Sequence, residues 1–262
     1  MAEGKSSSWF RYARACAVVL VAGWAVYAVV MHFMAWYIAR DAGQDHQNLG
    51  VLPTPLKDSS VGKLTGFQVA RFGFSFQVPW ETALVDHAGP SAASLAFTDG
   101  AGVLVFDPAS AVDGAQLMHG ASERDHKLMD RLLGSKALSS NYDLMAAAVR
   151  EQPSDVHWWA SRAHNARAFI LLEDKEMELI DVASIHPIAG SAVRGFQFGD
   201  PDFAPYVVNL KLFDSSDRQY WILITGMHAH HPVITQSEIN GLIASLKTLP
   251  DHSSDRFPHN GF

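Results

Sequence analysis

Two short stretches carry side chains whose types and spacing suit chemistry. In MHAHHP, Met227 to Pro232, His228 and His230 stand two apart, so an extended chain turns both imidazoles to one face. Such a pair can ligate zinc, copper or nickel once a third donor joins it. His231, His186 or Asp86 beside His87 could supply that donor. The competing reading is a loop of solvent-facing histidines, because thirteen histidines in 262 residues generate close pairs by chance. In VHWWASRAHN, His157 and His164 are seven apart and His157 and Ser161 four apart, which a helix would gather on one face. A nucleophilic serine also needs an orienting acid and an oxyanion hole. No G-x-S-x-G elbow is present to provide that setting.

The same stretch holds Trp158 and Trp159. The commoner use of such a pair is to pack its helix against a sheet; the alternative is an exposed protein-binding surface, where tryptophan is enriched. Asp200 and Asp202 in FGDPDFAPY fit a turn better than a calcium loop, which needs a longer acidic pattern. Glu173, Asp174, Glu176 and Glu178 in LEDKEMEL read as a solvated helix face. Phosphate loops, dinucleotide fingerprints, HExxH and CxxCH are all missing from the sequence. The expectation is a protein without catalytic residues or a cofactor.

These residues are positioned by a chain with two unlike parts. Between Arg14 and Arg40 no side chain carries a formal charge. The 25 residues from Ala15 to Ala39 would reach about 37 Å as a helix, enough for a hydrocarbon core of about 30 Å. A cleavable signal has a shorter apolar core and a small-residue cleavage site. Here the run closes on bulky Trp36, Tyr37 and Ile38, with Trp9, Phe10 and Tyr12 at the other end, as interfacial aromatics would be. An uncleaved transmembrane anchor is expected, the alternative being a signal cut near Ala39 or Ala42. Lys5, Arg11 and Arg14 place the N-terminus in the cytoplasm and residues 41–262 outside, at the inner or plasma membrane with a periplasmic domain.

Trp24, Tyr27 and His32 bring polar tips into the span, where lipid offers no hydrogen bonds, and Met31 lies near them. They suggest contact with a helix of an integral membrane partner; tilting and snorkelling is the simpler alternative. The expected organisation is a cytoplasmic segment 1–14, a transmembrane helix 15–39, a linker 40–66, an extracytoplasmic domain 67–250 and a tail 251–262.

Four of the chain's 20 basic residues and one of its 27 acidic ones fall in the first forty, leaving 16 against 26 outside. An acidic domain argues against nucleic acid, whose phosphates demand Lys and Arg, and against a general affinity for anionic lipid. The only cysteine, Cys16, permits no intramolecular disulfide and no cysteine-rich zinc site.

Within the domain, Phe72, Phe74, Phe76 and Val78 alternate with polar or small residues, predicting one strand ended by Pro79. SLAFTDGAGVLVF predicts a hairpin. Helices are predicted after Ser122 up to Gly134, over NYDLMAAAVREQ, and from about Ser154 through HWWASRAHNARAFILLEDKEMEL, the last as one long helix or two with a bend. AVRGFQF, YVVNLKLF and QYWILITG predict three returning strands, with DSSD turning the last two. Thr235 and Glu238 form a capping box for a closing helix with Ile239, Leu242, Ile243 and Leu246 inward and Pro250 at its end. Strands, then helices, then strands and a helix imply an α+β fold, an antiparallel sheet of about six strands covered by helices.

A short opening strand ending in GFSFQVPW, an early hairpin, inserted helices, a three-strand return and a final amphipathic helix resemble the PsbP-like α+β superfamily, which includes an extrinsic photosystem subunit and bacterial DcrB-type envelope proteins. The resemblance covers about residues 66–250, rests on element order, and carries no site residues across. It implies a binding or assembly role. The expected function is therefore a membrane-anchored, non-catalytic accessory or binding subunit of a membrane complex. The alternative is an extracytoplasmic metal- or small-ligand-binding domain built on His228 and His230.

Overall fold

Side-chain alternation decides most of the architecture. The computed structural model describes residues 6–44, 48–98, 100–110, 122–134, 140–179, 183–190, 192–226 and 232–249. The chain runs through α1 (Ser6–Gln44), β1 (Gln68–Arg71), β2 (Phe74–Gln77), β3 (Ala83–Ala88), β4 (Ala92–Phe97) and β5 (Gly102–Phe106). Among the described residues the helices α2 (Glu123–Leu133), α3 (Asn141–Ala148) and α4 (Arg162–Glu178) follow. The chain then returns as β6 (Ile185–Ala189), β7 (Arg194–Phe198), β8 (Val207–Phe213) and β9 (Gln219–Thr225), and closes with α5 (Gln236–Ser245) and β10 (Lys247–Thr248).

The main sheet has seven antiparallel strands in the order β3-β4-β5-β9-β8-β7-β6. Two meanders, β3–β5 and β6–β9, meet where β5 pairs with β9, and the helices lie in the connection between them. A second, three-stranded sheet has the order β1-β2-β10. The fold is α+β, as expected, but with more strands than about six. β3 escapes the sequence reading because it is a mostly exposed edge strand with Leu84 and Val85 facing solvent, so it has no apolar alternation. β6 escapes because Pro187 argues against a strand; it is tolerated at the sheet's other edge, where a missing N–H breaks no inner ladder.

The opening strand expected over residues 72–78 is instead the second half of a hairpin. Phe72 and Gly73 take φ of 51° and 75° and form a two-residue turn between β1 and β2. The turn needs left-handed backbone at both positions, which glycine adopts without strain. Val69 faces Phe76 across the hairpin, so the inward phase is odd before the turn and even after it. The unbroken period through Phe72 is therefore a coincidence of the turn residue's type.

One face of the main sheet, with Val103, Val105, Leu210, Leu212, Ile222 and Ile224, packs on the small sheet's Phe74 and Phe76 and on Ile239 and Leu242 of α5. Tyr220 ties the two sheets: its ring meets Phe74 at 4.9 Å and its hydroxyl donates to Asp214 at 2.7 Å. The capping box of α5 forms as expected, with Glu238 N–H donating to Thr235 Oγ1 and Thr235 N–H to Glu238 Oε2 at 2.8 Å. Pro250, its expected terminator, lies outside the described residues. The opposite face, with Phe196, Phe198, Phe213 and Ile185, is covered by Met145, Ala146 and Val149 of the α3 region and by Leu179. Asp217, in the β8–β9 turn, accepts from Ser140 Oγ and from the Tyr142 backbone N–H, which anchors the start of α3 to the sheet.

The segment between α1 and β1 has no helix or strand over residues 51–67, yet it is fastened to the domain. Thr54 N–H donates to Ile185 O, Gly62 N–H to Ser237 O, and Asn240 Nδ2 to the carbonyls of Asp58 and Ser60.

Close backbone approach in the sheet gives a direct test. A Cβ on Gly195 would lie 2.0 Å from the Lys211 carbonyl oxygen, whereas one on Gly50 meets nothing within 4 Å. Gly195→Ala should destabilise the protein by about 3 kcal/mol, and Gly50→Ala by less than about 0.5 kcal/mol, in thermal unfolding followed by circular dichroism.

Candidate functional site

The long apolar helix and the domain meet at the start of α4. Within α1, Ala17–Met34 is long and apolar enough to be a membrane anchor or a signal sequence. Its side chains from Val18 through Tyr27 point away from the protein, with Trp24 and Tyr27 well over half exposed. From Ala28 onward the helix touches the domain. Arg162 Nη2 donates to the Ala28 carbonyl at 2.8 Å, and His32 Nε2 hydrogen-bonds the Trp158 carbonyl. Phe33 stacks on Trp158 with ring centroids 5.9 Å apart and planes 6° from parallel. One turn on, Trp36 packs with Phe169 over the cluster Leu49, Val156, Ala168 and Leu172, and Arg40 lies above its ring at 5.6 Å. α4 thus starts beside Ala28 and runs alongside α1 in the same direction.

This geometry depends on where α4 begins. The sequence reading carries a helix from about Ser154, but the chain makes only a 3-10 turn over Pro153–Asp155 before it opens into a loop. Val156 is buried there, and Ser161, in extended conformation, caps α4 by accepting from the His164 N–H at 3.1 Å. Trp158 and Trp159 are therefore on a loop, 51% and 70% exposed, and do not pack a helix against the sheet. His157 and His164 do come together, at 5.3 Å between ring centroids, but through the loop and not through a helical face. Their ring nitrogens meet the backbone carbonyls of Ser154 and Asp155, and the Ser161 hydroxyl serves as a cap.

The acidic run on α4 is the second departure. Glu173 and Met177 are exposed, but Asp174 and Glu178 turn toward the sheet. Glu178 Oε1 lies 3.0 Å from Lys211 Nζ, and Asn209 Nδ2 donates to Glu178 Oε2 at 3.3 Å. The Lys211 ammonium also sits 3.4 Å above the Trp221 ring, which stacks on Phe106. Burial, reinforced by the Glu178 charge, pushes the Asp174 carboxyl up to about 6. Burial pushes Lys211 down against the opposing pull of Glu178. On the other side of α4, Lys175 is fully buried and donates to the Glu151 carbonyl at 2.8 Å; burial pushes it down to about 8. The i, i+4 spacing of Asp174 and Glu178 was the available signal, together with Lys211 at an outward phase of a strand covered on both faces.

His228 and His230 lie outside the described residues. Of the donors suggested for them, His186 is buried with Nδ1 2.9 Å from the Thr54 carbonyl, and Asp86 pairs with Arg71. Among the described residues no group of three or more His, Cys, Asp or Glu could hold a metal. Asp200 accepts from the Asp202 N–H in a simple turn, as expected. A cleft between residues 56–61, β6 and α5 is lined by Leu56, Val61, Ile188, Val193 and Ile243 among others, and no ionisable side chain lines it. No family model, no curated protein and no solved structure matches this chain.

The buried ions titrate in a definite direction. Asp174 binds its proton more tightly folded than unfolded, so stability falls as pH rises from its ordinary 3.8 to about 6 and stays reduced above. Asp174→Asn should recover on the order of 3 kcal/mol at pH 8 and little at pH 4. Lys211→Met, which strands Glu178 without its cation, should cost about 3–5 kcal/mol at pH 8. Thermal melts of the detergent-solubilised chain at the two pH values measure both.

Proposed function

We propose that the chain is a single-pass membrane protein whose α+β domain lies outside the cytoplasmic membrane and works without catalysis, as an accessory or assembly subunit that binds an integral membrane partner. The observation that carries this reading is the seating of α1 on α4. A signal sequence that is cut away makes no lasting contact with the mature domain. Here removal of α1 would strip Trp36 from Leu49, Val156, Ala168 and Leu172. Uncovering an aromatic contact of that size costs about 2–3 kcal/mol. The anchor is therefore retained, with Lys5, Arg11 and Arg14 on the cytoplasmic side.

The partner is argued from the remaining face of α1. His32 is bonded within the chain, so it needs no partner helix. Trp24, Tyr27 and Met31 are exposed, and a phenol in the span gains from an acceptor that another helix can supply.

Intact mass of the protein extracted from membranes should show residues 1–39 still attached, apart from the initiator methionine. In mild detergent one integral membrane protein should co-purify in fixed ratio, and Tyr27→Phe with Trp24→Leu should reduce its recovery severalfold. A mature chain that begins near residue 40 removes the anchor; a chain that purifies alone with either sequence removes the partner.

A further inference from the structure

The depth at which the domain meets α1 has a consequence for lipid. The last charge before the span is Arg14, and the first contact with the domain is at Ala28. Fourteen residues rise about 21 Å along a helix, and a hydrocarbon core is about 30 Å thick. Residues 28–34 must therefore supply the remaining part of the span, and tilt increases the need. Among those residues Ala28 is held by Arg162, and His32 and Phe33 by Trp158. A domain seated in this way cannot stand clear of the bilayer.

We propose that the loop from Trp158 to Arg162 is a lipid-binding wedge, which sinks beside α1 into the outer leaflet of the membrane that α1 crosses. This rests on the anchored reading above and goes beyond it, since the two tryptophans then face lipid and not a protein. The chemistry of the loop agrees. Trp158 and Trp159 are exposed, set edge to face at 5.7 Å, and tryptophan favours the boundary between headgroups and acyl chains. Arg162 uses one of its five N–H donors on Ala28, about 9 Å inside the outer boundary by the same helix rise, so its remaining donors call for lipid ester oxygens and water drawn down beside α1. The stretch 156–164 contains Arg162, His157 and His164 and no carboxylate. Asp155, which precedes this stretch, is half-buried and its carboxylate accepts from the Gln152 N–H at 2.9 Å, so the exposed tip itself carries no negative charge against headgroup phosphates.

The test uses the full chain in phosphatidylcholine vesicles, with Cys16→Ser removing the only cysteine. A fluorophore is attached in turn at Trp159→Cys, at Ala160→Cys as a second tip position that keeps both tryptophans, at Gly23→Cys within the apolar run, and at Ser216→Cys in the distant β8–β9 turn. Lipids spin-labelled near the headgroup should quench the two tip probes at least about twofold and leave the probe at 216 unchanged, while lipids labelled at the chain end quench the probe at 23. Trp158→Ser should lower quenching at position 159. If position 23 is quenched but the tip probes respond only to aqueous iodide, the wedge is wrong and the anchor stands. If the tip probes are shielded from both quenchers, protein covers the loop and the wedge is wrong. If position 23 itself escapes lipid quenching, the anchored reading fails and the wedge falls with it.

Discussion

The arrangement of this protein depends on a helix–helix contact, the C-terminal half of α1 laid along the first turns of α4. Its apolar part is Trp36 and Phe169 over Leu49, Val156, Ala168 and Leu172, and its polar part is Arg162 and the Trp158 carbonyl reaching Ala28 and His32. Neither part alone would fix the geometry. The apolar cluster permits sliding along the helix, whereas the two hydrogen bonds are tied to particular residues. Once the contact is made, the distance between apolar run and domain is fixed by it. The intervening segment then has other work. Thr54, Asp58, Ser60 and Gly62 are bonded to Ile185, Asn240 and Ser237, so the segment laces β6 to α5 along the domain's flank.

Legibility in the sequence followed physical strength. The closing helix, the β4–β5 hairpin and strands β7 to β9 were readable because one period dominates each and a cap or turn residue marks each end. The α+β class followed from their order. What was not readable was decided by contacts distant in sequence. β6 contains Pro187 and is a strand only because β7 offers a partner on one side. The break before α4 turns on Ser161, which has the same side chain whether it caps a helix or sits inside one; the burial of Val156 and the capping of His164 N–H select the cap. Asp174 and Glu178 look like any solvated acidic pair until Lys211 and Asn209 come up beneath them. The candidate site shares this limit. Trp158 and Trp159 could be singled out by type, but their exposure and their place against Phe33 come from tertiary structure alone.

The ionic groups around α4 bear on how that tertiary structure is specified. The buried side of α4 includes Asn165, Ala168, Leu171, Leu172 and Lys175, a mixed surface that would tolerate rotation of the helix if apolar burial were the only guide. Charged groups remove that freedom. Asp174 and Lys175 are adjacent and must point about 100° apart around a helix, one toward Lys211 and Glu178, the other toward the Glu151 carbonyl. Rotation by one residue would bury a charge without its partner, a penalty of several kcal/mol, while the correct register gains little net stability over an apolar packing. The ions therefore select an arrangement more than they strengthen it.

That selection reaches the end of α4 that meets α1. α4 is continuous from Ser161 to Glu178, so its rotation, set by Glu178 on Lys211 and Lys175 on Glu151, fixes the direction of Arg162 and the loop before it. Arg162 meets Ala28 because the far end of the same helix is keyed to the sheet. The sheet in turn holds α3 through Asp217 and holds α5 across the opposite core. A chain of rigid elements thus connects the β8–β9 hairpin to the tryptophan loop over the full length of α4. A partner that shifts α1 must either break the Ala28 and His32 bonds or carry α4 with it, and the second course disturbs buried charges. The domain is consequently built to follow α1 as one body.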